Sequence, residues 1–325
     1  PNPVDTNITP VNIILKSTGI CPNKSDTLKL TVKQGPIVSA GLGQEVCSNN
    51  PTVQLSGQVY GASSQGVWNV VAPGNGTFVP GVNTFTPTYL LSNSDTALFQ
   101  LKFVLTSTNN AGCDPVWDTV RIIINKAPIV IASPVKPLLK CTNNPTVFLS
   151  GIVSGTTTSS GKWETDGTGI FVPDNLSLIC NYLPSQADLQ AGSIYLTLES
   201  TNNNYCRPVR DSVQVIFGQP SLPNAGVDIN SCKNNAVATL SAAISGTNTT
   251  TGIWLGGSGV YVPSNTALTN TYYASPAEVA AGFVVLTFST TNNGICFGED
   301  DRLKITFQDK PTANFTVNTV CLNGV

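Results

Sequence analysis

Hydrophobic and polar residues alternate in a stretch that recurs along this chain, and each occurrence contains a polar turn and a cysteine. In residues 101–125, Leu101, Phe103 and Leu105 alternate with polar side chains before an Asn-Asn-Ala-Gly turn and Cys113. Period-two alternation bounded by Asn and Gly predicts the two strands of a β-hairpin. The same hairpin pattern returns at residues 11–32, 194–217 and 284–307. A hairpin pattern that occurs four times along the chain predicts a repeat array.

Further landmarks recur in a constant order and divide the chain. Each full repeat carries a Cys-x-Asn-Asn segment, a Gly-x-Trp segment and the hairpin with its second cysteine. The spacing predicts full repeats at residues 36–127, 128–220 and 221–310. Residues 1–35 correspond to the closing half of a repeat, and residues 311–325 to the start of another. We therefore expect the chain to be a segment of a longer secreted protein.

The spacing of strands and turns indicates the fold class. About seven short strands per repeat, turns every ten or so residues and a Cys-Trp-Cys order predict all-β, tandem Ig-like β-sandwich domains. Trp68, Trp163 and Trp254 are expected in the cores, with ligand binding as the alternative. Short proline-containing links between repeats predict an elongated rod.

Helical turns are expected at only a few positions. Residues 275–282 begin with Ser275 and place Glu278 three positions later, which is the capping-box pattern. Residues 185–192 match them, whereas residues 93–97 are expected to form a polar connection.

The composition excludes several classes of function. Only 10% of the 325 residues are charged, the net charge is -2, and the chain contains neither His nor Met. Without histidine, the usual general base and the commonest metal ligand are missing. The chain has no basic cluster, which argues against nucleic-acid binding. No nucleophile recurs with a base and an orienting partner, so we expect no enzyme, no catalytic residue and no cofactor. No apolar run is long enough to predict membrane insertion of this segment.

The cysteines follow the repeat. Cys47 and Cys113 lie 66 residues apart, Cys141 and Cys206 65 apart, and Cys232 and Cys296 64 apart. We predict three disulfides, each within one repeat, and an oxidising extracytoplasmic setting. The alternative, a zinc site, needs close Cys-x-x-Cys pairs that the chain lacks. Cys21 and Cys321 would pair with cysteines outside this segment. Cys180 is expected to be a free thiol, with an interchain bridge as the alternative.

The motifs resemble a known family. NAG-x-D-x-x-x-C-x-N-N, G-x-W, G-x-(F/Y)-x-P, T-N-N-x-x-C and D-x-(L/V)-x-(I/V) occur together in this order. They look like the PKD-like and Ig-like repeats of very large cell-surface adhesins that gliding bacteria export by type IX secretion, and residues 311–325 look like the start of a PKD-like repeat. The resemblance implies a stalk in an extracellular, surface-anchored adhesin or filament. Its partners would be further repeats of the same chain and, in addition, surface glycans or filament neighbours.

The candidate chemistry lies in polar loops. An Asp-(Ser/Thr)-aliphatic motif resembles the O-glycosylation acceptor of these bacteria, and the alternative is a structural loop closure by Asp. The candidate acceptors are Thr27, Thr96, Thr119 and Ser212. No Asp-x-Asp-x-Asp-Gly calcium loop exists, so the acidic run Glu299, Asp300 and Asp301 indicates a solvated loop and no metal site.

Two functions from different classes remain. The repeats either form a structural stalk or themselves bind glycans or another surface. Trp117 alone among the tryptophans is expected in a loop, which favours the stalk. A third hypothesis is lateral assembly, in which strand donation completes the half-repeat at residues 1–35.

Overall fold

The computed structural model describes residues 10–155 and 157–317 and shows an all-β chain. Two strands precede the first full repeat and form an antiparallel hairpin: β1 (Val11–Lys16) and β2 (Ser25–Leu30). Every residue of β2 is exposed, and β1 exposes Ile13, Ile14 and Leu15. These three side chains of β1 are therefore at least half exposed to solvent, whereas Val11 is half-buried.

Each full repeat contributes one set of strands. In the first set these are β3 (Ile37–Ser39), β4 (Gln44–Cys47), β5 (Thr52–Gln54), β6 (Gln58–Tyr60), β7 (Gln65–Val70), β8 (Thr77–Val79), β9 (Thr88–Leu90), β10 (Gln100–Thr108) and β11 (Trp117–Asn125). In the second set they are β12 (Ile129–Ile131), β13 (Leu138–Cys141), β14 (Val147–Ser150), β15 (Ile152–Ser154), β16 (Ser160–Thr165), β17 (Ile170–Val172), β18 (Ile179–Leu183), β19 (Ser193–Thr201) and β20 (Arg210–Gly218). In the third set they are β21 (Leu222–Asn224), β22 (Ile229–Cys232), β23 (Val237–Ser241), β24 (Ala243–Ser245), β25 (Thr251–Leu255), β26 (Val260–Val262), β27 (Thr269–Tyr273), β28 (Phe283–Thr291) and β29 (Asp300–Gln308).

The strand order is the same in all three sets. The first set forms the sheets β4-β11-β10-β7, β5-β9-β8 and β3-β6, and the other two sets repeat it. The recurrent hairpin, β10 with β11, lies at the centre of the four-stranded sheet, and β4 pairs with β11 in parallel. Tandem β-sandwich domains were predicted, and this strand order confirms them. Each set contains nine strands within the described chain, not about seven, because three-residue strands such as β3 and β6 pair where connections were expected.

Contacts divide the chain into two compact units. One comprises residues up to Ile131 with Gly151–Trp163 and Leu198–Asp211, and the other comprises Ala132–Ser150, Glu164–Thr197 and the chain from Ser212 onwards. The first set of strands lies within one unit and the third set within the other. The second set is divided between the two units. The domain boundaries that the sequence indicates therefore stay a prediction.

Alternation places the predicted residues in the cores. Leu101, Phe103 and Leu105 of β10 are buried, and Trp68 of β7 pairs across from Leu105. Trp163 and Trp254 are likewise buried, which confirms the predicted core position of these three tryptophans. Aromatic packing continues to the second sheet, since the rings of Phe103 and Tyr89 meet edge to face at 4.7 Å.

The described chain contains short helices at the expected positions and at one more. The helices are α1 (Asn93–Ala97), α2 (Gln186–Ala191) and α3 (Pro276–Ala281). Ser275 and Glu278 form the predicted capping box of α3, and Gly282 ends that helix in the left-handed region. The expectation of a polar connection at α1 is wrong. Its capping box uses Asp at the third position, and it ends at Leu98 in extended backbone, so it lacks the terminal glycine that marks α2 and α3.

Candidate functional site at the repeat joints

Disulfides join consecutive repeats in this structure. Within the described residues, Cys47 is bonded to Cys206 and Cys141 to Cys296, with Cα–Cα distances of 4.9 and 5.0 Å. In both bridges the cysteine of a Cys-x-Asn-Asn segment pairs with the hairpin-loop cysteine of the next repeat. We call each bridge, with its Asn-Asn pair and the hairpin loop, a joint.

The predicted pairing within repeats is therefore wrong, and the strand geometry gives the reason. Cys47 ends β4, which runs parallel to β11 and pairs with Asn125 at the far end of that strand. Cys113 lies in the loop before β11 begins at Trp117. A strand of 9 residues spans about 30 Å, whereas a disulfide needs Cα atoms within about 7 Å. Cys47 and Cys113 thus lie at opposite ends of one sandwich.

The same geometry separates the other two predicted pairs. Cys141 lies beside Gly218 and Cys232 beside Gln308, both at the far end of the last strand of the repeat. The hairpin loops precede the other end of these strands, at Arg210 and Asp300. Neither Cys141 with Cys206 nor Cys232 with Cys296 can form a bridge without a large backbone movement.

The loop of each hairpin is built to present its cysteine. In the second repeat Asn202 and Asn204 adopt positive φ angles of 55° and 50°, a region that Asn tolerates better than most residues. The side chain of Asn203 donates to the carbonyl of Ser200 at 2.9 Å, and the N–H of Cys206 donates to the carbonyl of Asn203 at 2.9 Å. In the hairpins of the three full repeats, the Asn-Asn run therefore fixes a turn that directs the cysteine outward.

The other half of the joint is a tight turn at the end of the first strand. Asn50 donates its N–H to the carbonyl of Cys47, and Asn144 does the same to Cys141, both at 2.9 Å. This turn leaves the side chains of the Asn-Asn pair available to another segment.

Asparagine side chains then clamp the incoming loop. Asn49 Nδ2 donates to the carbonyl of Arg207 at 2.9 Å, and the N–H of Arg207 donates to Asn49 Oδ1 at 3.0 Å. Asn143 makes the same pair of bonds with Phe297, both at 3.1 Å. The amide copies the donor and acceptor of an extended strand, so it recognises loop backbone without depending on the loop side chain. This tolerance explains why Arg207 and Phe297 occupy equivalent positions.

The second joint also includes a charged side chain, the carboxylate of Glu299. Asn143 Nδ2 also donates to Glu299 Oε1 at 2.7 Å. The acidic run is thereby accounted for in part: Glu299 supports the clamp, the carboxylate of Asp301 accepts from the N–H of Ala225 at 2.8 Å, and Asp300 is exposed. No group of three or more potential metal ligands comes together in the part of the chain that the structure describes.

Four further cysteines among the described residues carry no disulfide. Cys21 and Cys232 are exposed, Cys113 is half-buried and Cys180 is buried. Burial, and to a smaller extent the carboxylate of Asp174, raises the pKa of the Cys180 thiol, which disfavours the reactive thiolate. Cys321 lies outside the described residues.

The glycosylation candidates differ in exposure. Thr27, Thr119 and Ser212 lie on exposed strand positions, whereas Thr96 is half-buried in α1 and donates its hydroxyl to the carbonyl of Asn93 at 2.9 Å. The Asp before Thr119 has a structural role, since Asp118 accepts from the N–H of Ala40 at 2.8 Å and from that of Thr119 at 2.7 Å. The candidate sites therefore remain predictions.

A second polar cluster, inside each repeat, was missed by the sequence analysis. A buried tyrosine donates its hydroxyl to a buried carboxylate: Tyr89 to Asp95 at 3.1 Å, Tyr182 to Asp188 at 2.7 Å and Tyr272 to Glu278 at 2.7 Å. We call these the tyrosine–carboxylate clusters. The signal was the constant spacing of six residues between tyrosine and acid, which the capping box alone did not explain.

Backbone donors complete these clusters and shift their titration. Glu278 accepts from the N–H groups of Ser258 and Ser275 at 2.6 and 2.7 Å. Burial would raise the pKa of Glu278 and of Asp188, but hydrogen bonds donated to each carboxylate outweigh it and hold both pKa values below their usual range. Burial raises the pKa of Tyr89 to about 12, and it also raises those of Tyr182 and Tyr272.

An open groove lies beside the first joint. It has a volume of about 730 Å³, and its lining residues are Gly43, Gln44, Glu45, Arg121, Ile123 and Tyr205.

Trp117, expected in a loop, is the first residue of β11 and is 66% exposed. Among the described residues, no helix combines the length and the hydropathy needed to span a membrane.

Comparison with known proteins finds structural likeness at low identity. No protein-family model matches the sequence, and no curated protein matches it. A three-Ig fragment of titin is 11% identical over 86% of this chain and 99% of that chain, with a TM-score of 0.46. Immunoglobulin domains of Sidekick-1 are 13% identical over 92% of this chain and 66% of that chain, with a TM-score of 0.34. A fragment of mouse cadherin-23 is 11% identical over 85% of this chain and 100% of that chain, with a TM-score of 0.37. The tandem β-sandwich architecture rests on the strand order of the sheets.

Proposed function

We propose that this chain is a tension-bearing stalk segment of an extracellular adhesin or filament, in which disulfides join each repeat to the next. The observation that carries the proposal is the pair of joints, Cys47–Cys206 and Cys141–Cys296. A catalytic or ligand-binding domain needs no covalent bond to its neighbour, whereas a stalk under load gains from one. Disulfides persist in oxidising compartments, which supports an extracytoplasmic location.

The finer identity belongs to the same proposal. The motif resemblance supports a bacterial cell-surface protein exported by type IX secretion and connected with surface attachment or gliding. The domain boundaries are proposed at residues 36–127, 128–220 and 221–310, flanked by partial repeats at residues 1–35 and 311–325. The segment is proposed to act without catalysis or cofactor.

The two disulfide loops overlap, and this overlap has a mechanical consequence. Residues 141–206 belong to both loops, whose bridged cysteines are 159 and 155 residues apart. With both bridges intact, the shortest covalent path between residues 36 and 310 contains roughly 90 residues, or ~310 Å when fully extended. Without bridges the path contains roughly 270 residues, or ~950 Å. With either bridge alone, the shortest covalent path contains about 120 residues.

Single-molecule force spectroscopy on the full chain, held at its termini, tests this proposal. Cys47→Ser should lengthen the extended chain by only ~100 Å, and so should Cys141→Ser, because the remaining loop still spans most of the segment. The double variant should lengthen it by ~640 Å. Bridges within repeats would instead give equal and additive increments of ~200 Å each. Additive increments, or no change on reduction, would reject the stalk mechanism.

Glycosylation is proposed for the exposed candidates. Thr27, Thr119 and Ser212 lie at exposed strand positions, where the Ser212 hydroxyl shares a hydrogen bond with that of Thr197 at 2.8 Å. Thr96 is half-buried, and its hydroxyl donates to the carbonyl of Asn93. Intact-glycopeptide mass spectrometry of the natively exported protein should find hexose-type mass additions at the first three positions and none at Thr96. Unmodified hydroxyls at all of them would reject this part of the proposal.

Carbohydrate binding by the repeats is the second candidate function. The open groove beside the first joint favours it, since Tyr205 offers an exposed ring next to Gln44, Glu45 and Arg121. A glycan array probed with the full chain tests it against the stalk. Specific micromolar binding that Tyr205→Ala abolishes would support the alternative, and no binding would leave the stalk as the account.

A further inference from the structure

The structure leaves one half of a joint without a partner at each end of the set of full repeats. Cys232, Asn234 and Asn235 in the third repeat correspond to Cys47, Asn49 and Asn50 in the first and to Cys141, Asn143 and Asn144 in the second. Cys232 ends β22 beside Gln308, just as Cys47 ends β4 beside Asn125. The turn is also the same, because Asn235 donates its N–H to the carbonyl of Cys232 at 3.0 Å.

The environment of this third turn differs from that of the other two. Cys47 and Cys141 are fully buried under the loops they hold, whereas Cys232 is exposed. The side-chain amides of Asn234 and Asn235 make no hydrogen bond within residues 10–155 and 157–317. The backbone turn that carries the cysteine and the two asparagines is thus already formed as in the occupied joints.

The complementary half is the hairpin loop of the first repeat. Cys113 corresponds to Cys206 and Cys296, and its N–H donates to the carbonyl of Asn110 as theirs do to Asn203 and Asn293. Positive φ angles at Asn109 and Ala111 give this loop the same outward turn. The backbone of Asp114, at the position that Asn49 and Asn143 clamp in the later repeats, has no hydrogen bond in the described chain.

We infer that Cys232, Asn234 and Asn235 form a covalent docking site for the hairpin loop of another repeat of this type, and that the Cys113 loop is the matching insert. The rule is directional: a Cys-x-Asn-Asn turn accepts a hairpin loop, and neither half pairs with its own kind. This inference rests on the joints alone and is independent of the stalk proposal.

Bond formation needs a disulfide oxidant, and oxidised glutathione can supply it. The Cys113 thiolate attacks one sulfur of oxidised glutathione, forms a mixed disulfide and releases one glutathione thiolate. After the loop docks, the Cys232 thiolate attacks the Cys113 sulfur and releases the second glutathione. Two protein thiols are thereby oxidised to one disulfide, and one oxidised glutathione is reduced to two thiols.

Two versions of the full chain, each keeping one half of the joint, test the rule. The acceptor variant carries Cys21→Ser, Cys113→Ser and Cys321→Ser, and the insert variant carries Cys21→Ser, Cys232→Ser and Cys321→Ser. Isotope labelling of the insert variant distinguishes mixed from like dimers by mass. The two are mixed in equal amounts with a glutathione redox buffer, and the dimers are measured under non-reducing conditions.

Directional docking predicts that the mixed Cys232–Cys113 dimer exceeds the sum of the like dimers by about tenfold, whereas random pairing makes the two equal. Adding Asn234→Ala and Asn235→Ala to the acceptor should bring the ratio back to about one. The reaction rate of Cys232 with a small thiol reagent should stay unchanged in that variant, which shows that the turn is intact. Equal amounts of mixed and like dimers, or a ratio that survives loss of both asparagines, would overturn the inference.

Discussion

The joints and the tyrosine–carboxylate clusters are the two polar features that recur with the repeat, and they connect the chain over very different distances. In a cluster, a carboxylate such as Asp95 binds backbone up to 20 residues away, inside its own sandwich. In a joint, the bridged cysteines are 159 or 155 residues apart and belong to different repeats. The clusters therefore stabilise each repeat by itself, and the joints stabilise the series.

The difference also separates the conditions to which each feature responds. The clusters depend on ionised carboxylates and neutral phenols, so pH acts on them. The joints depend on disulfides and on neutral amides, with the carboxylate of Glu299 added at the second joint, so redox conditions act on them more strongly than pH does.

The largest expected effect is the loss of a joint. Cys47→Ser opens a loop of about 160 residues and should lower the free energy of unfolding by ~5 kcal/mol in the chain-entropy model. Urea unfolding without reductant measures it. Cys113→Ser is the matched control and should change stability by less than ~0.5 kcal/mol. An equal loss of stability in both variants would support disulfides within repeats and contradict the joints.

Breaking a cluster should cost less. Glu278→Ala leaves the N–H groups of Ser258 and Ser275 and the hydroxyl of Tyr272 without their acceptor in a buried site, at ~3 kcal/mol. The exposed Asp300→Ala removes a charge without such contacts and should cost under ~0.5 kcal/mol. Thermal or urea unfolding of both variants gives the comparison. A similar, small cost for both would show that the cluster contributes nothing to the stability of the repeat.

Acid should weaken the clusters and leave the joints intact. The folded pKa values of Asp188 and Glu278 lie below their unfolded values, so their stabilisation is present above about pH 4 and is lost as the pH falls through the folded values. The free energy of unfolding, measured by urea unfolding, should therefore fall between pH 5 and pH 2, and Glu278→Gln should flatten this dependence. A steeper dependence in Glu278→Gln would contradict the assignment.

The smallest effect concerns the clamp. Asn49→Ala removes two hydrogen bonds to Arg207 but leaves Cys47 and Cys206 in place. Its equilibrium with glutathione should shift toward the reduced form by about fivefold, equivalent to ~1 kcal/mol. The exposed Asn83→Ala serves as the control and should not shift it. If the two variants behave alike, the asparagines do not contribute to the joint.

Much of the fold could be predicted from the sequence because the repeats report the same pattern several times. Alternation around Phe103 and the position of Trp68 identified the core, and Ser275 with Glu278 identified a helix start. Helix α1 was missed because it lacks a terminal glycine. The contact of Tyr89 with Asp95 was missed because their spacing of six residues becomes a signal only when the repeats are compared. Local pattern fixes local structure, and such contacts between strands require the fold.

The joints could not be predicted for a different reason. In a periodic chain, a cysteine at one repeat position is separated from the second cysteine type by a regular distance both within its own repeat and in the next. Spacing is therefore consistent with either pairing, and only the position of Cys47 beside Asn125, at the far end of β11 from Cys113, decides between them. The recurrent hairpin lies at the centre of its own sandwich, but its cysteine is bonded to the preceding repeat.

Disulfide mapping by mass spectrometry is the most direct test of this account. The non-reduced chain is alkylated, digested with proteases and searched for cross-linked peptides. The account predicts peptides that join Cys47 to Cys206 and Cys141 to Cys296, with an alkylated Cys180. Peptides that join Cys47 to Cys113, Cys141 to Cys206 and Cys232 to Cys296 would contradict it.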